Sequence, residues 1–181
     1  MRRAFLAIVP PDDVLDAIEA LIERRRSSRF AWTRREQWHV TVQFYGRVGD
    51  DDALRAALAP SIARVAPLRV QVRGGGAFPT PRRAQVYWLG LDGGDALWDV
   101  RDSVVSATEA FIARRDRVAF RPHLTLARLK RATDLTADVA ALEHAPIGTP
   151  WMLEELTLLE SETRSSGAVY TEHARFPLVG P

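Results

Sequence analysis

The sequence predicts a fold of mixed helices and strands, of the α+β or α/β class, and two observations favour it. Segments with apolar residues at strand spacing and segments with apolar residues at helical spacing alternate along the chain. Two predicted strands also carry the same short motif, one in each half, so the chain has the character of a diverged repeat. With 181 residues and no long linker, we expect one compact domain or two small lobes.

In the first half, a strand, a helix, a motif-bearing strand and a second helix follow one another. Pro10 and Pro11 end the first strand, because proline cannot donate to a sheet, and Asp12 or Asp13 can cap the helix behind it. A brief strand or loop is predicted over Phe30–Trp32. The predicted bounds are strand 3–9, helix 12–26, strand 38–47 and helix 50–65.

The second half repeats the alternation and ends in two strands. Strict alternation predicts strand 68–72, and the glycines behind it predict a turn or bulge that lacks the residues of a phosphate loop. Thr133 can cap a short fourth helix. The remaining predictions are a Pro-rich loop 78–83, strand 85–91, helix 93–111, a charged turn, motif strand 121–128, loop 146–150, and strands 151–160 and 168–176 joined by a Ser/Gly turn.

The two motif strands each present a His-x-Thr sequence. The first, WHVTVQF, contains His39 and Thr41, and the second, RPHLTLAR, contains His123 and Thr125. Side chains two apart on a strand point to the same face, so each strand sets an imidazole beside a hydroxyl. If both pairs face one cavity, they offer an acid, a base and two donors to an oxyanion. The alternative is structural: each histidine makes a structural hydrogen bond and each threonine reflects β-propensity.

Other chemistry finds little support in the composition. The chain has no cysteine, which excludes disulfides and thiolate ligands or nucleophiles. Neither motif histidine has a carboxylate or histidine at ligand spacing, so we expect no metal and no other cofactor. His144 and His173 are expected to be structural or exposed. The net charge of +2 does not by itself indicate a nucleic-acid partner, although a local arginine surface around a cleft would.

HVTV and HLTL resemble the paired motifs of the two-histidine phosphoesterases. Within that superfamily, the chain is similar to the RNA 2′,3′-cyclic phosphodiesterases, also called 2′-5′ RNA ligases. Further matches are RAFLAIVPP, GAFPTPRRAQVYWLG, FRPHLTLAR, LTLLES and ARFPL, so the resemblance covers nearly all of the sequence. It implies a bilobal α+β fold over residues 1–181, in which two antiparallel sheets, one in each pseudo-repeated lobe, flank a central cleft and helices lie outside.

The resemblance also implies an activity. RNA 2′,3′-cyclic phosphate ends would be hydrolysed to 2′-phosphate ends, with His123 as proton acceptor and His39 as proton donor. The family can also join such an end reversibly to a 5′-hydroxyl through a 2′-5′ bond without ATP. Three alternatives remain open: a 2′-5′ oligonucleotide phosphodiesterase, a small cyclic nucleotide phosphodiesterase, and an RNA-end-binding module without catalysis.

Binding of the substrate phosphate is assigned to Thr41, Thr125 and one arginine. Arg128 matches the arginine that ends the second motif in the resembled family, but strict alternation puts Arg128 opposite His123 and Arg121 on the His123 face. A bulge could bring Arg128 round. Residues that could stack a base are Phe5, Phe44, Phe78, Tyr87 and Trp88.

The expected partners are RNA ends or oligonucleotides with a 2′,3′-cyclic phosphate. No apolar run reaches membrane-spanning length, and the first residues do not form a signal peptide. We therefore expect no membrane, no protein partner, a cytoplasmic location and a monomer.

Overall fold

The computed structural model describes residues 2–25, 27–112, 119–164 and 167–180. Helices and strands alternate along it, which confirms the α+β class. The helices are α1 (Asp12–Arg24), α2 (Asp51–Ala63), α3 (Gly94–Ala107) and α4 (Thr136–Ala140). The strands are β1 (Arg2–Ile8), β2 (Ala31–Trp32), β3 (Val40–Val48), β4 (Leu68–Phe78), β5 (Ala84–Asp92), β6 (His123–Thr133), β7 (Pro146–Leu153), β8 (Glu155–Arg164) and β9 (Gly167–Pro177).

All paired strands are antiparallel and form a sheet of order β7-β4-β5-β6-β3-β1-β8-β9, with β2 beside β6. The two motif strands, β3 and β6, lie at its centre and are joined through the single pair Val40 and Leu124. That narrow junction divides the sheet into two half-sheets, each with a motif strand innermost. We propose that these half-sheets are the two lobes of the repeat.

The resemblance implied two sheets, each formed by one half of the chain. The half-sheets differ from this prediction in one respect. Strands β8 and β9, from the end of the sequence, complete the half-sheet of β1 and β3, while β4 joins the half-sheet of β5 and β6. The local pattern of a strand specifies its buried face but not its neighbour, so this exchange was not visible in the sequence.

Apolar side chains of helices and strands share one large core. Helix α1 buries Val14, Ile18 and Ile22 and packs against β7, because its apolar residues recur at helical spacing. Helix α2 packs against α3 and β9. Each fully buried aliphatic side chain stabilises the fold by about 1.5–3 kcal/mol. No helix in the described part of the chain is long and apolar enough to cross a membrane.

Two of the predicted helix caps are wrong. Asp50 does cap α2, since its carboxylate accepts from Ala53 N at 2.9 Å. Helix α1, however, begins behind Pro11 without a side-chain cap. Helix α4 begins behind Leu135 rather than at Thr133, and it is Asp134 whose carboxylate accepts from Thr136 N.

The predicted loops and turns have different outcomes. The loop predicted over 146–150 is the start of β7, an edge strand, and an edge tolerates proline because its outer amides have no partner. Of the turn or bulge predicted at the glycines 74–76, the structure has a bulge, since they lie inside β4 where the register shifts between Arg73 and Gly75. The charged turn before the second motif strand includes 113–118, and the turn before β9 includes 165–166; both stretches lie outside the described residues.

Candidate active site

The junction of the motif strands brings the two His-x-Thr pairs together. His39 directly precedes β3 and His123 is the first residue of β6. The antiparallel pair of Val40 and Leu124 between them places Thr41 opposite His123 and Thr125 opposite His39. Each histidine therefore faces the threonine of the other motif across the junction, as well as its own.

Both imidazoles are anchored in the same way. His39 Nδ1 lies 2.8 Å from Gln37 O, and His123 Nδ1 lies 2.7 Å from Arg121 O. A carbonyl oxygen only accepts, so each Nδ1 carries the hydrogen and donates it. In a neutral ring, Nε2 is then left with its lone pair, ready to accept a proton. The backbone has thus assigned the same tautomer to both rings.

Aromatic side chains pack against both histidines. The ring centroid of His39 lies 4.7 Å from that of Phe5 and 4.9 Å from that of Tyr170. The corresponding distances for His123 are 4.9 Å to Phe78 and 5.8 Å to Trp88. These rings restrict the orientation of each imidazole and exclude water from its faces.

Burial lowers the pKa of both histidines. The pKa of His39 falls from its usual value to about 4, chiefly because the ring is desolvated; the bond to Gln37 opposes the shift and the charge of His123 adds to it. The pKa of His123 is lowered for the same first reason, and the positive charges of Arg121 and Arg128 lower it further. Both rings are therefore neutral near pH 7 in the free protein.

A single open cavity of about 540 Å³ contains both motif pairs. Its wall consists of Phe5, Ala31, Trp32, Thr33, Arg34, Gln37, His39, Thr41, Phe44, His123, Thr125, Arg128, Ser161, Gly167, Ala168 and Tyr170. None of these lining residues is acidic, so the cavity favours an anion over a cation. No cluster of three or more potential metal ligands occurs among the described residues.

A β-bulge in each motif strand follows the motif threonine. In β6, Thr125 pairs with Trp88 but Ala127 pairs with Tyr87, so Leu126 is the inserted residue. In β3, Thr41 pairs with Ala7 but Gln43 pairs with Leu6, which makes Val42 the insertion. An inserted residue reverses the alternation beyond it.

The bulge in β6 places Arg128 in the cavity. Leu126 and Ala127 are both buried, and Arg128 returns to the face that holds His123 and Thr125. Arg121 is exposed and does not border the cavity. Its guanidinium carbon lies 5.9 Å from the Trp88 ring, and its carbonyl anchors His123. Of the two candidate arginines, only Arg128 borders the cavity, although the charges of both act on His123.

Thr33 ties the two motifs together through hydrogen bonds that the sequence did not indicate. Its hydroxyl lies 2.8 Å from both Thr125 O and Leu126 O, at the bulge of β6. The same oxygen accepts from Trp38 Nε1 at 2.9 Å, and Trp38 directly precedes His39. The backbone amide of Thr33 also donates to Leu126 O at 2.8 Å.

A glycine makes room for the aromatic packing around His123. A Cβ at Gly76 would come within 2.1 Å of the Trp88 indole, so no larger residue fits while Trp88 stays beside His123. On the other side of the cavity, Gln37 Nε2 donates to Ala168 O at 2.7 Å and joins the loop before β3 to β9.

Comparison with known proteins agrees with this geometry. The model of the 2′-5′ RNA ligase superfamily matches residues 10–164. The chain belongs to the 2′-5′ RNA ligase superfamily. Among curated members of similar sequence, the RNA 2′,3′-cyclic phosphodiesterase of Methanothermobacter thermautotrophicus is 29% identical over 97% of this chain and 98% of that protein. The protein of the same name from Aeropyrum pernix is 36% identical over 60% of this chain and 62% of its own length.

Solved structures show the superfamily fold directly. TT0787 of Thermus thermophilus superposes with a TM-score of 0.81 at 28% identity, covering 98% of both chains. Escherichia coli LigT, in its apo form, has a TM-score of 0.75 at 22% identity over 98% of this chain and 97% of that chain. The resemblance drawn from the His-x-Thr motifs and the α+β phosphoesterase fold it implied are confirmed.

The sequence located most of this superfamily member's candidate site, and the roles of its residues stay predictions. His39, His123, Thr41, Thr125 and Arg128 all border the one cavity. The candidates for base stacking are divided as follows: Phe5 and Phe44 border the cavity, Phe78 and Trp88 contact His123, and Tyr87 is buried in the core.

Sequence reasoning missed Thr33, Gln37 and Tyr170. Tyr170 reaches the cavity from β9, which is far from both motifs in the sequence. The alternation of residues in β9 indicated only that one face of this strand is covered. His144 is exposed as expected, while His173 Nε2 lies 2.8 Å from a Glu160 carboxylate oxygen, away from the cavity.

Proposed function

We propose that the protein hydrolyses RNA 2′,3′-cyclic phosphate ends to 2′-phosphate ends. One observation carries the proposal: two imidazoles with the same backbone-fixed tautomer border one cavity that has no acidic wall residue. Hydrolysis of a cyclic phosphodiester needs one group to take a proton and another to give one. The names of the curated relatives support the same substrate.

In the hydrolytic step, His123 Nε2 accepts a proton from water as the water oxygen bonds to phosphorus. The bond between phosphorus and the 3′ oxygen breaks, and His39 Nε2 donates its proton to that oxygen. The products are a 2′-phosphate and a 3′-hydroxyl. The positive charges near His123 favour its neutral form, which is the form that accepts a proton, and burial keeps His39 neutral in the free protein as well. His39 must become charged, and the bound phosphate anion favours that form.

Hydrogen-bond donors in fixed positions bind the negatively charged phosphoryl oxygens. The hydroxyls of Thr41 and Thr125 stand on the strands that carry the histidines, and Arg128 adds a planar guanidinium that can bind two oxygens at once. Donors held in place before the reaction stabilise the transition state without reorganisation. The chain's own residues thus supply the acid, the base and the charge stabilisation, and no resident metal is part of this mechanism.

The same site suits reversible ligation. A 5′-hydroxyl of a second RNA can take the place of water and bond to phosphorus, giving a 2′-5′ linkage and a free 3′-hydroxyl. The energy comes from the cyclic ester, so ATP is not needed. In the reverse direction the two histidines exchange roles. We also propose that the protein is a monomer, that it is located in the cytoplasm, and that its partners are RNA ends.

A product analysis tests the proposed function. Purified protein is incubated with a 2′,3′-cyclic mononucleotide in excess EDTA, and the products are separated against 2′- and 3′-phosphate standards. The proposal predicts a 2′-phosphate alone, with an undiminished rate in EDTA. A 3′-phosphate product would contradict the assigned direction of opening. Loss of turnover in EDTA with recovery on adding a divalent ion would contradict the metal-free mechanism.

The alternatives give different results in the same assay. Cleavage of a 2′-5′ dinucleotide together with an intact 2′,3′-cyclic ester would favour the oligonucleotide phosphodiesterase. Cleavage of a 3′,5′-cyclic mononucleotide in preference to a 2′,3′-cyclic one would favour the small cyclic nucleotide enzyme. Retained RNA binding without turnover of any cyclic end would favour the binding module.

A further inference from the structure

A second depression adjoins the active-site cavity at the outer end of β6. It has a volume of about 470 Å³ and is lined by Ser28, Arg29, Phe30, Ala31, Lys130, Arg131 and Thr133. We call it the outer pocket. Ala31 borders both it and the active-site cavity, and Ala31 pairs with Arg128 in the sheet. The outer pocket therefore lies next to the part of the cavity wall that carries Arg128.

The lining of the outer pocket is basic. Arg29, Lys130 and Arg131 contribute positive charge and no lining residue is acidic. Arg29 is neutralised by Asp138 at 2.6 Å. Among the described residues, by contrast, no carboxylate forms an ion pair with Lys130, Arg131 or Arg128. Uncompensated charge is costly to concentrate on one surface, so it indicates an anionic partner.

The positively charged residues follow one another along β6 from the cavity to the outer pocket. Arg128 and Lys130 are both exposed and lie two apart on β6, with buried Leu129 between them. Two residues of a strand span about 7 Å. This separation is comparable with the spacing of successive phosphates in an extended single strand. One phosphate at Arg128 would therefore place the next one near Lys130.

The outer pocket offers no surface on which a base could stack. Phe30 is its only aromatic lining residue, and its side chain is buried. The guanidinium carbon of Arg29 lies 4.7 Å from the centre of the Phe30 ring. Recognition there must come from charge, which positions a nucleic-acid strand without reading its sequence.

We propose that the outer pocket binds the phosphodiester on the 5′ side of the terminal nucleotide, through Lys130 and Arg131. The inference rests on the proposed function, because an RNA with a cyclic phosphate at its 3′ end continues only through its 5′ side. It makes the protein selective for RNA strands over free cyclic nucleotides, whatever the sequence of the strand.

The test compares three substrates: a 2′,3′-cyclic mononucleotide, a trinucleotide with the same cyclic end, and that trinucleotide with uncharged methylphosphonate linkages. The quantity measured is the ratio of kcat/KM for each trinucleotide to kcat/KM for the mononucleotide. We expect a ratio of about ten or more for the charged trinucleotide, falling with salt by roughly 0.7 log units per log unit for each phosphate contacted. The uncharged trinucleotide should give a ratio near one.

The variant pair Lys130→Ala with Arg131→Ala should lower the ratio for the charged trinucleotide about tenfold and flatten its salt dependence. The control is Arg64→Ala with Arg69→Ala, which removes the same charge from exposed sites bordering neither cavity and should keep the wild-type ratio. Equal kcat/KM for mononucleotide and charged trinucleotide in the wild type, or an unchanged ratio in the variant pair, would overturn the inference alone. Failure to hydrolyse any of the three substrates would instead overturn the proposed function.

Discussion

Arg128 and Phe44 occupy equivalent positions in the two motif strands. Each lies just beyond a bulge that follows its motif threonine, and each points into the same cavity. The repeated backbone geometry therefore delivers a cation from one strand and an exposed aromatic ring from the other. The guanidinium carbon of Arg3 lies 5.8 Å from the centre of the Phe44 ring. The two histidines are arranged symmetrically, but one is flanked by a cation and the other by an aromatic ring. Because the phosphate is an anion, it should lie toward Arg128.

The side chain of Arg128 should contribute to substrate use through its fork of donors. We expect Arg128→Ala to lower kcat/KM on a 2′,3′-cyclic mononucleotide by about 10–100-fold, because a charge-assisted hydrogen bond contributes roughly 1.5–3 kcal/mol. Arg128→Lys should recover only part of the loss, since lysine cannot bind two oxygens in one plane. Steady-state kinetics measure this. Wild-type kcat/KM in both variants would remove Arg128 from the site.

Thr33 should act as a positioning residue for both motifs. Thr33→Val keeps the shape but leaves Trp38 Nε1 and the carbonyl of Thr125 without their partner. We expect kcat to fall about tenfold with little change in KM, and Thr33→Ser to restore it, because serine keeps the hydroxyl.

A matched control separates positioning from stability. Ser61 is buried in α2, where its hydroxyl donates to Leu58 O at 3.0 Å, away from the cavity. Ser61→Ala should lower the melting temperature without changing kcat. If Thr33→Val lowers only the melting temperature as well, then Thr33 has a structural role alone.

The pH dependence of the rate should follow the lowered pKa values of the histidines. One ring must be neutral and the other charged, so kcat/KM follows a bell, and its centre should lie below about pH 6.5, since both pKa values in the free protein are lowered. The kcat profile should lie at higher pH, because the bound phosphate raises the pKa of His39. Profiles of kcat and kcat/KM that coincide, or that lack a bell, would contradict this.

The free energy of unfolding should also depend on His39. Its pKa is about 4 when folded, and about 6.5 when unfolded, so the unfolded chain binds more protons between these values. Stability is therefore lost as the pH falls from 6.5 to 4, by an amount on the order of 3 kcal/mol. The variant His39→Gln lacks the titrating imidazole and therefore this contribution to the free energy of unfolding. Urea denaturation of both proteins should show a smaller acid loss in the variant; equal losses would mean that the ring is not buried neutral.

The sequence predicted the strands, the helices and both motif pairs because these depend on spacing within short segments. It could not place Arg128, because the bulge at Leu126 reverses the alternation and bulges leave no clear sequence signal. It also missed Tyr170, whose neighbour His39 is distant in sequence, and Thr33, whose partners are backbone carbonyls. Contacts that depend on the partner of a strand require the folded structure.

The rates of the histidine variants test most directly whether His39 and His123 act as acid and base in one transition state. On a 2′,3′-cyclic mononucleotide, His39→Ala and His123→Ala should each lower kcat by about 10²–10⁴-fold, the usual range for one acid–base group. The double variant should lose less than the product of the two single losses, because the partners act as a unit. A His123→Ala protein that stays folded and keeps the wild-type kcat would contradict the account.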